Sequence, residues 1–234
     1  MYHILCMGFL MQKSITTSNG HHKVIGQGPP VLLSSGMYGV MPSFMYNDLI
    51  HKLKTNLTLV LPNGKPILSD TVNEIKEVLN VDKIGFLSHS SFDEAILENK
   101  NVEKAVIMDP IAIPTLSFPF LQSRESTPIM DTLLIETELS NMDEKIQMDV
   151  NSNSVIKYDN VGHGDILDDM WADLVNKFGM KGASKRLSGN KLQNFESWKF
   201  DKNAVDFKNI RKTYRNEIAN EIIKHFLPSR KLLI

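Results

Sequence analysis

The feature that most constrains this chain is an alternation of short apolar runs with amphipathic stretches. Val31-Leu32-Leu33-Ser34-Ser35 follows Pro29-Pro30 and reads as a buried strand. Ser43 to Lys54 then places Phe44, Leu49, Ile50 and Leu53 at helical spacing, with Ser43 as N-cap. Leu57 to Leu61 is a second buried strand, closed by Pro62-Asn63-Gly64. Thr71 to Asn80 follows as a helix, with Thr71 and Glu74 as a capping box and Val72, Ile75, Val78 and Leu79 as its apolar face. Further strands are expected at Lys83–Leu87, Ala105–Met108, Thr132–Ile135 and Val155–Tyr158. Helices are expected from Phe92, over Ile166–Phe178 and over Arg211–Leu227. Strands that are apolar on both faces and separated by helices predict an α/β fold, a mostly parallel sheet covered on both sides. Function in such sheets gathers in the loops at the carboxyl ends of the strands.

Charge and cysteine content exclude several classes. The 26 Lys and Arg nearly balance the 27 Asp and Glu, for a net charge of −1. That balance supplies no electrostatic reason to bind nucleic acid or an anionic membrane. Cys6 is the one cysteine, so an internal disulfide and a cysteine-based zinc site are ruled out. His21-His22 does not make a metal site alone, and neither H-E-x-x-H nor a phosphate-binding G-x-x-x-x-G-K-[ST] loop occurs. No cofactor is expected. The run from Ile4 to Met11 is far short of the ~20 residues of a membrane span and lacks signal-peptide flanks. A reducing, cytoplasmic setting is the expectation. The bias of Lys over Arg, with abundant Asn, hints at an AT-rich genome such as that of a large DNA virus, and carries no chemistry.

Three strand ends carry matching chemistry. Ile84-Gly85-Phe86-Leu87-Ser88-His89-Ser90-Ser91-Phe92 has the layout of a nucleophile elbow, in which a sharp turn lifts a serine hydroxyl above the sheet. Ser88 stands at the first small position of that motif; Phe92 stands at the second and is bulky. Val161-Gly162-His163-Gly164-Asp165 puts a histidine between glycines just after the last strand, where its near-neutral pKa suits a general base. Met108-Asp109-Pro110 puts a carboxylate at a strand end, where it can orient that histidine. The chain order serine, acid, histidine is that of α/β-hydrolases. Glu136, Glu138 and Asp143 are competing acids, with Glu138 the principal alternative to Asp109. Taken singly, the serine string is also a common helix N-cap, and the histidine string a surface loop.

These residues together resemble the α/β-hydrolase superfamily, and within it chlorophyllase-like and lipase-like esterases. Gly162-His163-Gly164-Asp165-Ile166-Leu167-Asp168-Asp169 resembles the family string around the catalytic histidine, Met108-Asp109-Pro110 the string around its acid, and Ser88-His89-Ser90-Ser91 its G-H-S-R. Leu32 to Met37, followed by Ser43 and Tyr46, resembles the oxyanion loop and the helix after it. The resemblance implies Ser90, Asp109 and His163 as a triad, with the backbone N–H groups of Met37 and Ser91 as the oxyanion hole. The chain departs from the family at Ser35, in place of the loop histidine, and at Phe92 and Asp93, in place of paired glycines.

One domain spanning 1–234 is expected, with 111–126 as a lid segment and 179–210 as a polar surface excursion. Ile111 to Leu121 is apolar and broken by prolines, which suits either a rim for an acyl chain or packing over the sheet edge. Met37, Met41 and Met45 fall on one helix face, which suits an irregular apolar ligand or, as the preferred reading, ordinary core packing. The expected activity is metal-independent hydrolysis of a small, lipophilic carboxylic ester. The alternative is a catalytically degenerate hydrolase-fold protein with a binding or structural role, for instance in a virus particle, for which Phe92 and Asp93 speak.

Overall fold

The computed structural model describes residues 13–36, 39, 42–62, 65–90, 92–110, 130–137, 152–159, 161–169, 172 and 207–227. Eight strands form one sheet: β1 (Lys13–Thr17), β2 (Gly20–Gly26), β3 (Pro30–Ser34), β4 (Thr58–Leu61), β5 (Ile84–His89), β6 (Val102–Met108), β7 (Asp131–Thr137) and β8 (Ser154–Tyr158). Their spatial order is β1-β2-β4-β3-β5-β6-β7-β8. β2 runs antiparallel to β1 and to β4, and every later pairing is parallel. The expected α/β class with a mostly parallel sheet is therefore the observed one.

The β1–β2 hairpin is an addition to the sequence expectation. Lys13 to Thr17 alternates exposed and buried positions, with Ile15 and Thr17 inward, which is the period of a strand with one wet face. The central strands differ. β5 is buried at all six positions because it lies between β3 and β6 with both faces covered.

Helices α1 (Asn47–Leu53) and α3 (Phe207–Phe226) cover one face, packing Leu49, Leu53, Tyr214, Ile218 and Ile222 over Val31, Leu33, Leu87 and Val106. On the other face Val72 and Ile75 of α2 (Ser69–Leu79) pack over Leu32, Val60, Phe86 and Ile107. Gly85 is fixed by this layering. A Cβ there would lie 2.7 Å from the Phe226 ring, so a side chain on the middle strand would push α3 off the sheet.

Several helix boundaries depart from expectation. Ser43 does not cap a helix; it opens a 3₁₀ turn, Ser43–Tyr46, that leads into α1. α2 begins at Ser69, two residues before Thr71, and the Thr71–Glu74 capping box does not form. Thr71 is buried inside the helix, where its hydroxyl accepts from Asn19, while Glu74 holds Ser18 of the β1–β2 turn. Val78, expected on the buried face, is 46% exposed. The helix ends as its sequence suggests, with Asn80 in the left-handed region at φ +54°. α3 starts at Phe207, four residues ahead of expectation. Met45 is buried in the core; Met37, Met41, the Ile4–Met11 run, the 111–126 segment and residues 179–206 lie outside the described residues. Among the described residues no helix is long and apolar enough to cross a membrane.

Candidate active site

Ser90 follows the last residue of β5 with its backbone at φ +69°. A side chain in that region clashes with its own peptide unit, at a cost of roughly 1–2 kcal/mol. The turn is held because the Ser90 N–H donates to the Met108 carbonyl at the end of β6 (3.0 Å). Asp109, one residue beyond β6, repeats the geometry at φ +42°, and its N–H donates to Ile135 on β7 (2.8 Å). Two neighbouring strands thus end in forced turns that carry a hydroxyl and a carboxyl. His163 lies in the loop after β8, fully buried and next to Asp109.

A middle strand ending in a left-handed serine, in a sheet ordered β1-β2-β4-β3-β5-β6-β7-β8 with only β2 reversed, decides the architecture. The chain has the α/β-hydrolase fold. No family model and no curated protein matches it. Solved hydrolase-fold structures do. A carboxylesterase from Bacillus subtilis matches at 13% identity and a TM-score of 0.45, over 67% of this chain and 86% of that one. An α/β fold family hydrolase from Bacillus anthracis matches at 11% identity and a TM-score of 0.43, over 69% and 95%. A candidate α/β hydrolase from Nostoc matches at 17% identity and a TM-score of 0.34, and there the chain spans 43% of that protein.

Within this hydrolase-fold site, the carboxyl of Asp109 is clamped by Thr137 at the end of β7. The Thr137 N–H donates to Oδ1 (2.7 Å) and its hydroxyl to Oδ2 (2.8 Å). Burial nonetheless pushes the Asp109 pKa up to about 7, against the lowering by those two hydrogen bonds and with a smaller push from Glu136 and Asp165. His163 Nδ1 is 3.8 Å from Asp109 Oδ2, within coulombic reach and longer than a hydrogen bond. Burial, then the adjacent His89, hold His163 well below its ordinary pKa, so its ring is neutral.

His89, immediately before the serine, is the site residue that sequence reasoning passed over. Its ring stacks on that of His163, with centroids 4.4 Å apart. Its Nδ1 is 2.8 Å from the Tyr46 hydroxyl, and its Nε2 is 2.9 Å from the His163 carbonyl. Donor atoms of His89, Asp109 and His163 lie within 4.8 Å of one another, the spacing of a metal site. His89 does not suit that role, because both of its ring nitrogens are already hydrogen-bonded.

The acidic string after His163 is structural. Asp165 accepts from the Gly162 N–H (2.8 Å) and from Arg211 Nε of α3 (2.8 Å). Asp168 accepts from the Asp48 N–H on α1, and Asp169 from Arg215 (2.8 Å), one turn beyond Arg211. Residues 163–167 form turns and not the expected start of a helix, and these carboxylates fasten them to two helices.

Phe92, the bulky residue of the elbow motif, packs back onto β5. It is buried against Phe86 with ring centroids 5.8 Å apart, in the core beneath α2. The helix expected from Phe92 is a short 3₁₀ turn, Glu94–Glu98, capped by the Asp93 carboxylate accepting from Ala95 (3.1 Å). Met37, Ser91 and Glu138 lie outside the described residues.

Proposed function

We propose that this chain is a serine hydrolase that cleaves a carboxylic ester. The observation that carries the reading is the left-handed Ser90 at the end of the middle strand. A non-glycine residue held in that region is retained where the strain serves a purpose, and in a nucleophile elbow that purpose is to lift the hydroxyl above the sheet.

The Ser90 hydroxyl oxygen attacks the ester carbonyl while His163 accepts its proton. The neutral ring that burial imposes on His163 is the form that can do so. Asp109 orients the imidazole and stabilises the imidazolium as it forms. The backbone N–H groups of Met37 and Ser91, assigned by family resemblance, receive the oxyanion. His163 returns the proton to the departing alcohol. Water, deprotonated by the same ring, then releases the acid and restores Ser90. The near-zero net charge and the apolar Ile111–Leu121 stretch favour a lipophilic, uncharged ester.

Turnover of p-nitrophenyl butyrate tests this, with Ser90→Ala as control. Activity that persists in Ser90→Ala removes Ser90 from the role. A second reading, a hydrolase-fold binding protein, is favoured by the 3₁₀ turn at Glu94–Glu98, which puts no long helix N-terminus behind the serine. Stoichiometric labelling of Ser90 by a fluorophosphonate supports the hydrolase; absence of both labelling and turnover supports the binding role.

A further inference from the structure

A chain of three buried hydrogen bonds links two loops of the site through Tyr46 and His89. The Gly36 N–H, just after β3, donates to the Tyr46 oxygen at 3.1 Å. Tyr46 Oη and His89 Nδ1 are 2.8 Å apart, and His89 Nε2 is 2.9 Å from the His163 carbonyl oxygen. The direction of each bond follows from chemistry. A carbonyl can only accept, so Nε2 carries a hydrogen. In the neutral ring Nδ1 is then an acceptor, and the Tyr46 hydroxyl donates to it. Burial keeps the ring neutral, with its pKa lowered to about 4. Tyr46 and His89 are both fully buried, where a hydrogen-bonded network is stiff and a missing member is costly.

We infer that Tyr46 and His89 form a positioning relay, which fixes the loop after β3 to the loop carrying His163 and sets the face of the His163 ring by stacking. The inference rests on the serine-hydrolase reading of Ser90 and His163. Gly36 directly precedes Met37 in the sequence, so the relay ties the residue before the assigned oxyanion donor to the loop of the general base. Tyr46 acts through His89, and His89 acts through the His163 ring on which it stacks.

Histidine ¹⁵N NMR on the whole chain, combined with kinetics, tests it. In the wild type at pH 7, His89 is expected to be neutral, with hydrogen on Nε2 and none on Nδ1. Hydrogen on Nδ1 overturns the relay, and this measurement needs no variant to fold. Tyr46→Phe removes two of the bonds while keeping the ring. It is expected to lower kcat about tenfold to a hundredfold with KM changed less than about twofold, and to shift the His163 ring signals. His89→Gln keeps an N–H for the His163 carbonyl and is expected to retain more kcat than His89→Ala. A folded Tyr46→Phe protein with the wild-type kcat overturns the inference. If the wild type neither turns over ester nor reacts with a fluorophosphonate, the serine-hydrolase reading fails on its own. The relay then stands if Tyr46→Phe shifts the His163 ring signals, and falls if it leaves them unchanged.

Discussion

The imidazole of His163 lies against that of His89, with ring planes 27° apart and centroids 4.4 Å apart. Both are buried, so a proton on either would be an unsolvated charge facing its neighbour. Each therefore has a lower pKa in the folded chain than the 6.5 expected when unfolded. Below pH 6.5 the unfolded chain binds more protons at these residues, down to about 4 for His89, and stability falls as pH falls. Asp109 acts in the opposite direction. Its folded pKa of about 7 lies above 3.8, so its contribution weakens as pH rises between those values. Two histidines against one aspartate leave a net loss of stability on acidification. Urea denaturation from pH 7 to 4.5 should show this decline, and His89→Gln should flatten it. A slope unchanged by His89→Gln would contradict the assignment of the buried neutral ring.

Ser90 predicts a separation of stability from activity. Ser90→Ala keeps a Cβ at φ +69° and so keeps the strain, while Ser90→Gly relieves it. Both variants should lose ester hydrolysis. Ser90→Gly should be more stable than Ser90→Ala by about 1 kcal/mol, despite the added freedom of glycine when unfolded. Equal denaturation midpoints would mean that the elbow is not strained.

Asp109 should set the acidic limb of the pH–rate profile. The carboxylate, not the acid, stabilises an imidazolium, so kcat/KM should rise as pH passes through about 7. Burial pushes that value up, with smaller pushes from Glu136 and Asp165, and the Thr137 hydroxyl, which donates to Oδ2, pulls it down. Thr137→Val removes that donor and should move the limb to higher pH. A limb that stays in place in Thr137→Val would argue that another group controls it.

Much of this arrangement is legible in the sequence, because it depends on local pattern. β3, β4, β5 and β6 are short apolar runs bounded by turn residues, and Ser90, Asp109 and His163 each follow a strand end. The β1–β2 hairpin escapes because Lys13–Thr17 and Gly20–Gly26 bury few side chains and contain two adjacent histidines, so the alternation seen in their burial is weak in their apolar pattern. His89 escapes for another reason. Its role depends on Tyr46 and His163, which are 43 and 74 positions away and meet it only through the order of the sheet. Phe92 stands where the elbow motif asks for a small residue. Its burial against Phe86 depends on the main chain turning under α2, which spacing does not reveal. The string Asp165 to Asp169 reads as part of a catalytic signature, yet its carboxylates are spent on fastening the loop to α1 and α3.

That fastening gives a prediction that ranks two arginines one turn apart. Arg211 meets Asp165 at 2.8 Å, with side chains 6% and 2% exposed. Arg215 meets Asp169 and Asp48, whose side chains are 38% and 53% exposed, and donates to the buried Leu167 carbonyl. Removing Arg211 takes a buried cation from the buried Asp165 carboxylate, at a cost of about 3–5 kcal/mol. Removing Arg215 frees two acids that water already reaches, so the loss is chiefly the bond to Leu167, about 1–2 kcal/mol. Arg211→Met should therefore destabilise the chain more than Arg215→Met in urea denaturation. Adding Asp165→Asn to Arg211→Met should recover part of the loss, since the residual amide carries no charge. If Arg215→Met proves the more damaging, the His163 loop hangs from the Leu167 carbonyl and the two partly exposed acids, and the buried pair is not its principal anchor.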